Sequence, residues 1–284
     1  MSELQRRHQS IIEHHSYNEF NKSMEEFIDL FASLDYLIGG RNCSVFFSKG
    51  KTYNFDTQLL QSAKMTLLSI IKCCDFGSIS DANTLIRKFR DDIFFYLYVL
   101  QVDNNRVILF DETRKDKIQE YNKQINFIVK WFNNSLSNFD FNRNIVPYLK
   151  TNTDIEEIIN KDKLEDIWKR IFKNLNNGVH NNGVSYCAMN YRDHKYEDIE
   201  NIFHDIVFKT DYITTIFMML FILVKPHYIM SSDYIDCCDF GIEPPEDSQY
   251  WVAPFIQEFI DKHIGKHNLK YKLFIKDKVY MNID

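Results

Sequence analysis

Apolar residues recur at helical spacing along most of this chain, and the pattern predicts a mainly α fold. Residues 17–38 are the clearest case, and they end at Gly39-Gly40, where a helix C-cap is expected. The same spacing predicts further helices at 56–75, 81–101, 113–136, 196–224 and 250–267. For the helix at 81–101, Ser80 or Asp81 can serve as the N-cap.

Three segments break the helical pattern. Residues 43–55 predict a β-hairpin that turns at Lys49-Gly50. Residues 137–163 hold a proline and many asparagines, and they predict either a long loop or a boundary between two halves. Residues 233–249 contain a Pro-Pro pair and are expected to be irregular. We therefore expect six or seven helices, at most one short β-hairpin, and a polar N-terminus that is partly disordered.

The segment Trp168–Gly183 predicts an amphipathic helix that runs into a single histidine and stops at Asn-Asn-Gly. A loop is expected between this helix and the one predicted at 196–224. Spacings of i, i+3, i+4 and i+7 place one cation, two amides and an imidazole on one face, which we call the polar stripe: Lys173, Asn176, Asn177 and His180. The opposite face is apolar and suited to a core, with Trp168, Ile171, Phe172, Leu175 and Val179. A helix of this kind can form one wall of a polar cleft.

Composition narrows the class of protein. With 284 residues, of which 45% are hydrophobic, the chain can bury a sizeable core, and 8 Gly with 5 Pro favour helices over strands and turns. The formal net charge of −6 argues against a broadly basic nucleic-acid surface, so any RNA contact must come from a local patch. The 6 cysteines include no CxxC motif, and the chain starts without a signal peptide. Both features indicate a reducing, cytoplasmic location.

The longest apolar run, Tyr212–Val224, has about 13 residues, against the roughly 20 that a helix needs to cross a bilayer. We interpret it as a buried core helix and expect no membrane association. The pentapeptide Cys-Cys-Asp-Phe-Gly occurs twice, at 73–77 and 237–241. Since the flanking sequences do not align, we do not interpret the two copies as an internal duplication.

The helix at 81–101 carries Arg87, Arg90 and Asp91 at spacings i, i+3 and i+4. If this helix packs beside the histidine helix, either arginine could face His180 across a groove. The imidazole would then act as a general base, and the cations would neutralise a phosphodiester. Alternatively, the three charged residues form a salt-bridge network inside the bundle, and His180 only ends a helix.

The segments DANTLIRKFRDD (81–92) and KNLNNGVHNNG (173–183) together resemble the HEPN superfamily of helical bundles. They are similar above all to a bacterial branch, of toxin and phage-defence type, in which an L-[IL]-R-x-[FL]-x-[ED] helix precedes an L-N-N-x-x-H segment. The resemblance implies a HEPN-like helical bundle at 56–225. We then expect an N-terminal helical extension at 1–55, and a C-terminal loop and helix at 226–284 that pack on the bundle.

HEPN ribonucleases carry an Arg and a His on one helix, separated by four to six residues. They cut RNA without a metal or other cofactor, because the 2′-hydroxyl attacks the adjacent phosphate and leaves a cyclic phosphate. Carried over to this sequence, His180 matches the histidine, and Asn176 falls in the polar stretch before it. Lys173 stands at the longest allowed spacing in place of Arg, so the R-x(4-6)-H motif is degenerate. Lys keeps the charge but lacks the bidentate guanidinium fork.

The resemblance thus implies an RNA-cleaving effector in which His180 is the acid/base and Lys173 and Asn176 position phosphate. The expected substrate-binding residues are Arg87, Arg90, Asn177 and Asn182. The expected partners are RNA, a second copy of the chain in a homodimer, and a protein regulator. The alternative is a non-catalytic HEPN-like module that binds RNA or protein, which the missing Arg and the net acidity would suit. A purely structural dimerisation protein is a third class, but it gives the polar stripe no role.

Overall fold

The structure is a computed structural model that describes residues 2–40, 42–106, 115–161, 164–179, 183–244, 252–266, 269–279 and 282–284. Within these residues the chain is mainly α, which confirms the predicted fold class. The α-helices are α1 (Glu3–Ile12), α2 (Tyr17–Ile38), α3 (Gln58–Asp75), α4 (Ile79–Asn104), α5 (Lys115–Phe132), α6 (Val146–Leu149), α7 (Thr153–Lys161), α8 (Leu164–Val179), α9 (Val184–Tyr191), α10 (Tyr196–Val224), α11 (Ser232–Asp239), α12 (Pro254–Phe259) and α13 (Leu269–Val279). Shorter helical turns of π or 3-10 type lie at Phe141–Ile145, Pro226–Ile229 and Ile260–Gly265.

The predicted hairpin is present as β1 (Ser44–Ser48) and β2 (Lys51–Phe55), which pair antiparallel. Its two turn residues, Lys49 and Gly50, have φ angles of 48° and 73°. Positive φ at both central positions is typical of a type I′ turn, whose twist matches that of the flanking strands. Phe55 at the end of β2 is 1% exposed, so one face of the hairpin is anchored in a core.

The chain divides into two compact units, each assembled from segments that are distant in sequence. The first unit comprises Met1–Leu34, Leu60–Ile93 and Ile159–Ile216. Its core is built from the apolar faces of α2, α3, α4, α8 and α10. Two aromatic pairs mark how these helices meet. Phe31 meets Phe89 edge-on with ring centroids 5.3 Å apart, and Phe20 stacks on Phe203 at 4.3 Å.

The second unit comprises Asp35–Leu59, Phe94–Ile158 and Phe217–Asp284. Aromatic side chains dominate its core. The ring of Phe55 lies 5.7 Å from that of Tyr96 and 5.6 Å from that of Trp131. The hairpin is therefore held in this unit by ring contacts with α4 and α5, which compensate for the marginal stability of an isolated two-stranded sheet.

A largely buried ion pair lies in the second unit. Lys225 Nζ is 2.7 Å from Asp103 Oδ2, and the two side chains are only 7% and 15% exposed. Burial by itself raises the pKa of Asp103, but the hydrogen bonds and positive charges of Lys225 and Arg106 outweigh burial, so that this pKa lies below its ordinary value. Asp103 is therefore ionised in the folded protein and contributes stability at neutral pH.

The segment 137–163 is more helical than the sequence predicts, and the loop interpretation is wrong for it. Asp140 accepts hydrogen bonds from two backbone N–H groups of the following π turn. Asn152 does the same at the start of α7. Both polar residues are thus helix caps rather than loop residues. The α7 helix is then fixed because Ile155 and Ile158 are buried.

Three further helices also lie where the sequence predicts irregular or disordered chain. The polar N-terminus forms α1, which Ser2 and Gln5 cap reciprocally. The α9 helix occupies the loop expected after the histidine, and α11 occupies the start of the segment expected to be irregular at 233–249. The single helix predicted at 250–267 is instead α12 followed by a π turn, and α13 comes after it. Short helices of this kind lack the long periodic run on which prediction depends.

The repeated pentapeptide Cys-Cys-Asp-Phe-Gly ends a helix in both places, at Gly77 after α3 and at Gly241 after α11. In each copy the glycine N–H donates to the second cysteine carbonyl, and the next residue's N–H donates to the first. Both glycines have positive φ, 68° and 64°. These are the two bonds of a Schellman motif, so the repeat is a local helix-ending device.

The long helix α10 (Tyr196–Val224) is, among the described residues, the one helix long and apolar enough to cross a membrane by length and composition. In its most apolar window, 78% of the residues are buried inside the structure. A core helix of a soluble protein passes the same test of length and composition.

Candidate functional site

The α8 helix is held in the first unit by its apolar face. Trp168, Ile171, Phe172 and Leu175 are each at most 9% exposed. This is the face that the sequence assigns to the core. Its burial fixes the rotation of the helix, because turning α8 about its axis would bring these side chains into water.

The described residues of the polar stripe, on the opposite side of α8, differ in exposure and in hydrogen bonding. Lys173 is exposed. The side-chain oxygen of Asn176 is buried and has no hydrogen-bond partner among the described residues. Asn177 donates from Nδ2 to the hydroxyl of Tyr186 on α9 at 3.0 Å. His180 and Asn182 lie outside the described residues.

The α4 and α8 helices are neighbours, as one interpretation of the arginines requires. The guanidinium carbon of Arg90 lies 4.2 Å from the ring centroid of Phe172, which is a cation–π contact. Arg90 is 4% exposed and donates from Nε to Asp91 at 2.8 Å. Arg87 Nε lies 3.8 Å from the other oxygen of Asp91, and its side chain is 26% exposed. The three charges thus form a network in which Arg90 is enclosed and Arg87 is the arginine that solvent reaches.

A cavity of about 290 Å³ opens beside this region of α8. Four helices line it: the start of α4, the end of α8, α9, and the first half of α10. We call it the amide cleft, because three asparagines are among its lining residues, which are Ile79, Ser80, Asn83, Asn174, Tyr186, Met189, Asp198, Asn201, Ile202, Asp205 and Lys209. All of them belong to the first unit. Its volume lies just below the usual range for small-molecule sites.

Lys209 is the buried cation of the amide cleft. Its side chain is 6% exposed, and its ammonium group donates to Asp205 Oδ2 at 2.5 Å and to Asn83 Oδ1 at 2.8 Å. Asn83 in turn donates from Nδ2 to the carbonyl of Ile79 at 2.8 Å. A buried ammonium requires such acceptors, since an unpaired charge in the interior is costly. The chain of bonds fixes the geometry of the Lys209 head group at the cleft.

The start of α4, which forms one wall of the cleft, is capped from a distant part of the chain. Asn190 accepts at Oδ1 from the backbone N–H groups of Ser80 and Asp81, at 2.9 and 3.3 Å. Its Nδ2 donates to the Asp81 carboxylate at 3.0 Å. The sequence-based expectation that Ser80 or Asp81 is the N-cap is therefore wrong, because both already lie within the helix. The Asn190 side chain thus provides an acceptor for two backbone N–H groups at the N-terminus of α4 and links α9 to that helix.

A second cavity, of about 430 Å³, opens beside α1 and is lined in part by Arg6, Arg7 and His194. An arginine and a histidine together are the pair that the resemblance to HEPN ribonucleases leads us to look for. Arg7, however, donates to the carbonyls of Asn190 at 2.9 Å and Gly77 at 2.6 Å, and His194 Nε2 lies 3.1 Å from the same Gly77 carbonyl. Arg7 thus satisfies backbone carbonyls at the C-terminal ends of α3 and α9, a structural role in which its positive charge is favourable.

The amide cleft combines neutral donors and acceptors with a small excess of negative charge. Asp198 and Asp205 carry two carboxylates against the single ammonium of Lys209. Side-chain amides can read the edge of a planar polar group, because each offers two donors and an acceptor. Ile79, Ile202 and the Tyr186 ring supply the apolar surface between them. The cleft is suited to a neutral, flat ligand more than to an isolated phosphate.

The sequence-based predictions missed most of this cleft, since they assigned Tyr212–Val224 to the core and gave the first half of the helix predicted at 196–224 no role. The sequence does place Asp205 and Lys209 four residues apart, where two side chains on a helix can form an ion pair. Because the first half of α10 carries several other charged residues, this spacing does not by itself indicate a cleft. Asn83 and Asn201 carry no comparable signal, because single asparagines are common on exposed helix faces.

Among the described residues, no group of three or more His, Cys, Asp or Glu side chains could hold a metal ion. No family model, curated protein or solved structure matches the chain. The relation to the HEPN superfamily therefore stays a prediction from the motifs at 81–92 and 173–183.

Proposed function

We propose that this chain is a cytoplasmic, RNA-directed effector of HEPN type that cleaves RNA without a metal, as a toxin or phage-defence protein. The observation that carries the proposal is the amphipathic α8 helix. Its core face is buried, Lys173 is exposed on its other side, and it borders a cleft of amide side chains. In the sequence, His180 follows Asn176 by four residues and comes directly after Val179, the last residue of α8.

In the proposed reaction, the RNA 2′-hydroxyl attacks the adjacent phosphorus while His180 accepts its proton. The bond from phosphorus to the 5′-oxygen breaks, and the leaving oxygen takes up a proton. Lys173 would neutralise charge on the phosphate, and Asn176 would hold a phosphate oxygen. In a homodimer, the His180 residues of two copies could supply the base and the acid. Arg87 is the arginine whose exposure suits contact with RNA, whereas Arg90 is enclosed.

The test is growth and total-RNA integrity in a bacterial host that expresses wild type or His180→Ala. We expect growth arrest and discrete RNA fragments with the wild type, and neither with His180→Ala. The matched control is His204→Ala, which removes an exposed histidine on α10 of the same unit. It should behave as the wild type. Melting temperatures of the purified proteins should differ by only a few degrees. Fragments that persist in His180→Ala would refute the proposed role of His180.

A specific observation favours a second candidate, a non-catalytic module that binds RNA or protein. The ionisable side chains lining the amide cleft are net negative, and the Arg90 guanidinium is engaged inside the bundle. Both features weaken phosphate neutralisation without preventing recognition of a base or peptide. This candidate predicts saturable binding with no RNA fragments from the wild type, and an effect of Lys173→Ala on binding alone.

A further inference from the structure

The amide cleft holds features that the proposed chemistry at His180 does not use. A lysine side chain that is 94% buried lines an open cavity, and two of its three N–H donors have acceptors among the described residues, Asn83 and Asp205. Around it stand further amides at Asn174 and Asn201, both exposed to solvent. A buried ammonium beside exposed amides is an arrangement that can bind a ligand.

We infer that the amide cleft binds a nucleobase of single-stranded RNA, a deepening that rests on the proposed RNA-directed function. The third donor of Lys209 would bind a base carbonyl. Asn201 and Asn174 would donate to and accept from the base edge, and the Asp198 carboxylate would accept from an exocyclic amino group. Recognition of unstacked bases by edge hydrogen bonds together with aromatic and apolar contacts is how proteins read single-stranded RNA.

The net charge of the cleft favours a neutral base over a phosphate as its ligand. Two carboxylates and one ammonium give its ionisable lining residues a net charge of −1, by the count of Asp198, Asp205 and Lys209. A phosphate anion would be repelled and would also compete with Asp205 for the ammonium. A nucleobase is neutral at pH 7, so it meets no such penalty.

The apolar part of the lining fits the flat faces of a base. Ile79 and Ile202 come from two different helices, and Met189 and Tyr186 from a third. The Tyr186 hydroxyl accepts a hydrogen bond from Asn177, which restrains the ring next to the polar stripe. Tyr186 thus lines the proposed base site with its ring and contacts the polar stripe through the bond from Asn177 to its hydroxyl.

The experiment is isothermal titration of the full-length protein with adenosine, guanosine, cytidine and uridine, with ribose and inorganic phosphate as reference ligands. We expect at least one nucleoside to bind saturably, with Kd of about 0.1–1 mM for so small a ligand. Ribose and phosphate should bind at least tenfold more weakly. Asn201→Ala should weaken binding about fivefold or more, since it removes hydrogen bonds to the base. Asn18→Ala, an exposed asparagine on α2 outside the cleft, should not change binding.

Absence of nucleoside binding would overturn the inference, as would equal binding of ribose or phosphate, or an Asn201→Ala variant that binds as the wild type does. The RNA-integrity assay separates this from the proposed function. If nucleosides bind but host RNA stays intact, the cleft is a base-binding site in a non-catalytic module. If RNA is cut but nucleosides do not bind, the cleavage proposal holds and the base site is refuted.

Discussion

Removing either partner of the Lys209–Asp205 ion pair should lower the stability of the protein, but by unequal amounts. The lysine side chain is 6% exposed, whereas the aspartate side chain is 50% exposed. Removing the lysine leaves a carboxylate that water can already solvate. Removing the aspartate leaves a buried ammonium whose remaining protein acceptor among the described residues is Asn83. The variant that loses the aspartate should therefore be the less stable one.

The magnitudes follow from these exposures. Breaking a fully buried pair by deleting one partner costs roughly 3–5 kcal/mol. We expect about 2–3 kcal/mol for Asp205→Ala, because the pair opens onto the amide cleft and water reaches one side. Lys209→Met should cost about 1 kcal/mol, since the main loss is the hydrogen bond to Asn83 and the methionine retains the apolar stem. Asp205→Asn keeps an acceptor and should fall between these two.

The measurement is urea unfolding followed by far-ultraviolet circular dichroism, with the m-value compared between variants so that a midpoint shift can be interpreted as stability. The double variant Asp205→Ala with Lys209→Met should be more stable than Asp205→Ala alone, because it removes the uncompensated charge. A result in which Lys209→Met is the more damaging single change would refute the reasoning. So would a double variant whose loss is the sum of the two single losses.

Four further substitutions test other parts of the structure. The pKa of Asp103 is lower in the folded chain than in the unfolded chain. The stability that its carboxylate contributes is therefore complete above the unfolded pKa of about 3.9, and it is lost as the pH falls from there through the folded pKa. The urea midpoint should drop less between pH 7 and pH 3 in Asp103→Asn than in wild type. Gly241→Ala should cost about 1–2 kcal/mol from its positive φ alone. Gly77→Ala should cost more by the same unfolding assay, because its Cβ would lie 2.7 Å from the Arg7 guanidinium, which hydrogen bonds to the carbonyls of Asn190 and Gly77 hold in place. Phe172→Ala should cost roughly 3–5 kcal/mol through the cavity and the lost contact with Arg90; a loss below about 1 kcal/mol in thermal unfolding would contradict that packing.

Local sequence pattern determined the parts of this fold that depend on neighbours within a few residues. The long helices α2, α3, α4, α5 and α10 follow from apolar spacing sustained over several turns. The hairpin follows from the strand pattern at residues 43–55 around Gly50, which adopts positive φ without steric cost. The buried face of α8 follows from its strong amphipathic pattern. In each case the signal and the structure lie within one element.

Only the tertiary structure decided which side chains meet across the chain. Lys209 bonds to Asn83, 126 positions away, and Asn190 caps a helix that begins more than 100 residues earlier. The same packing enclosed Arg90 against Phe172 while it left Arg87 within reach of solvent. Helical periodicity says which face of an element is apolar, but it carries no information on the partner that covers that face. The partner is selected by packing of the whole unit, and the candidate cleft exists only where four such helices come together.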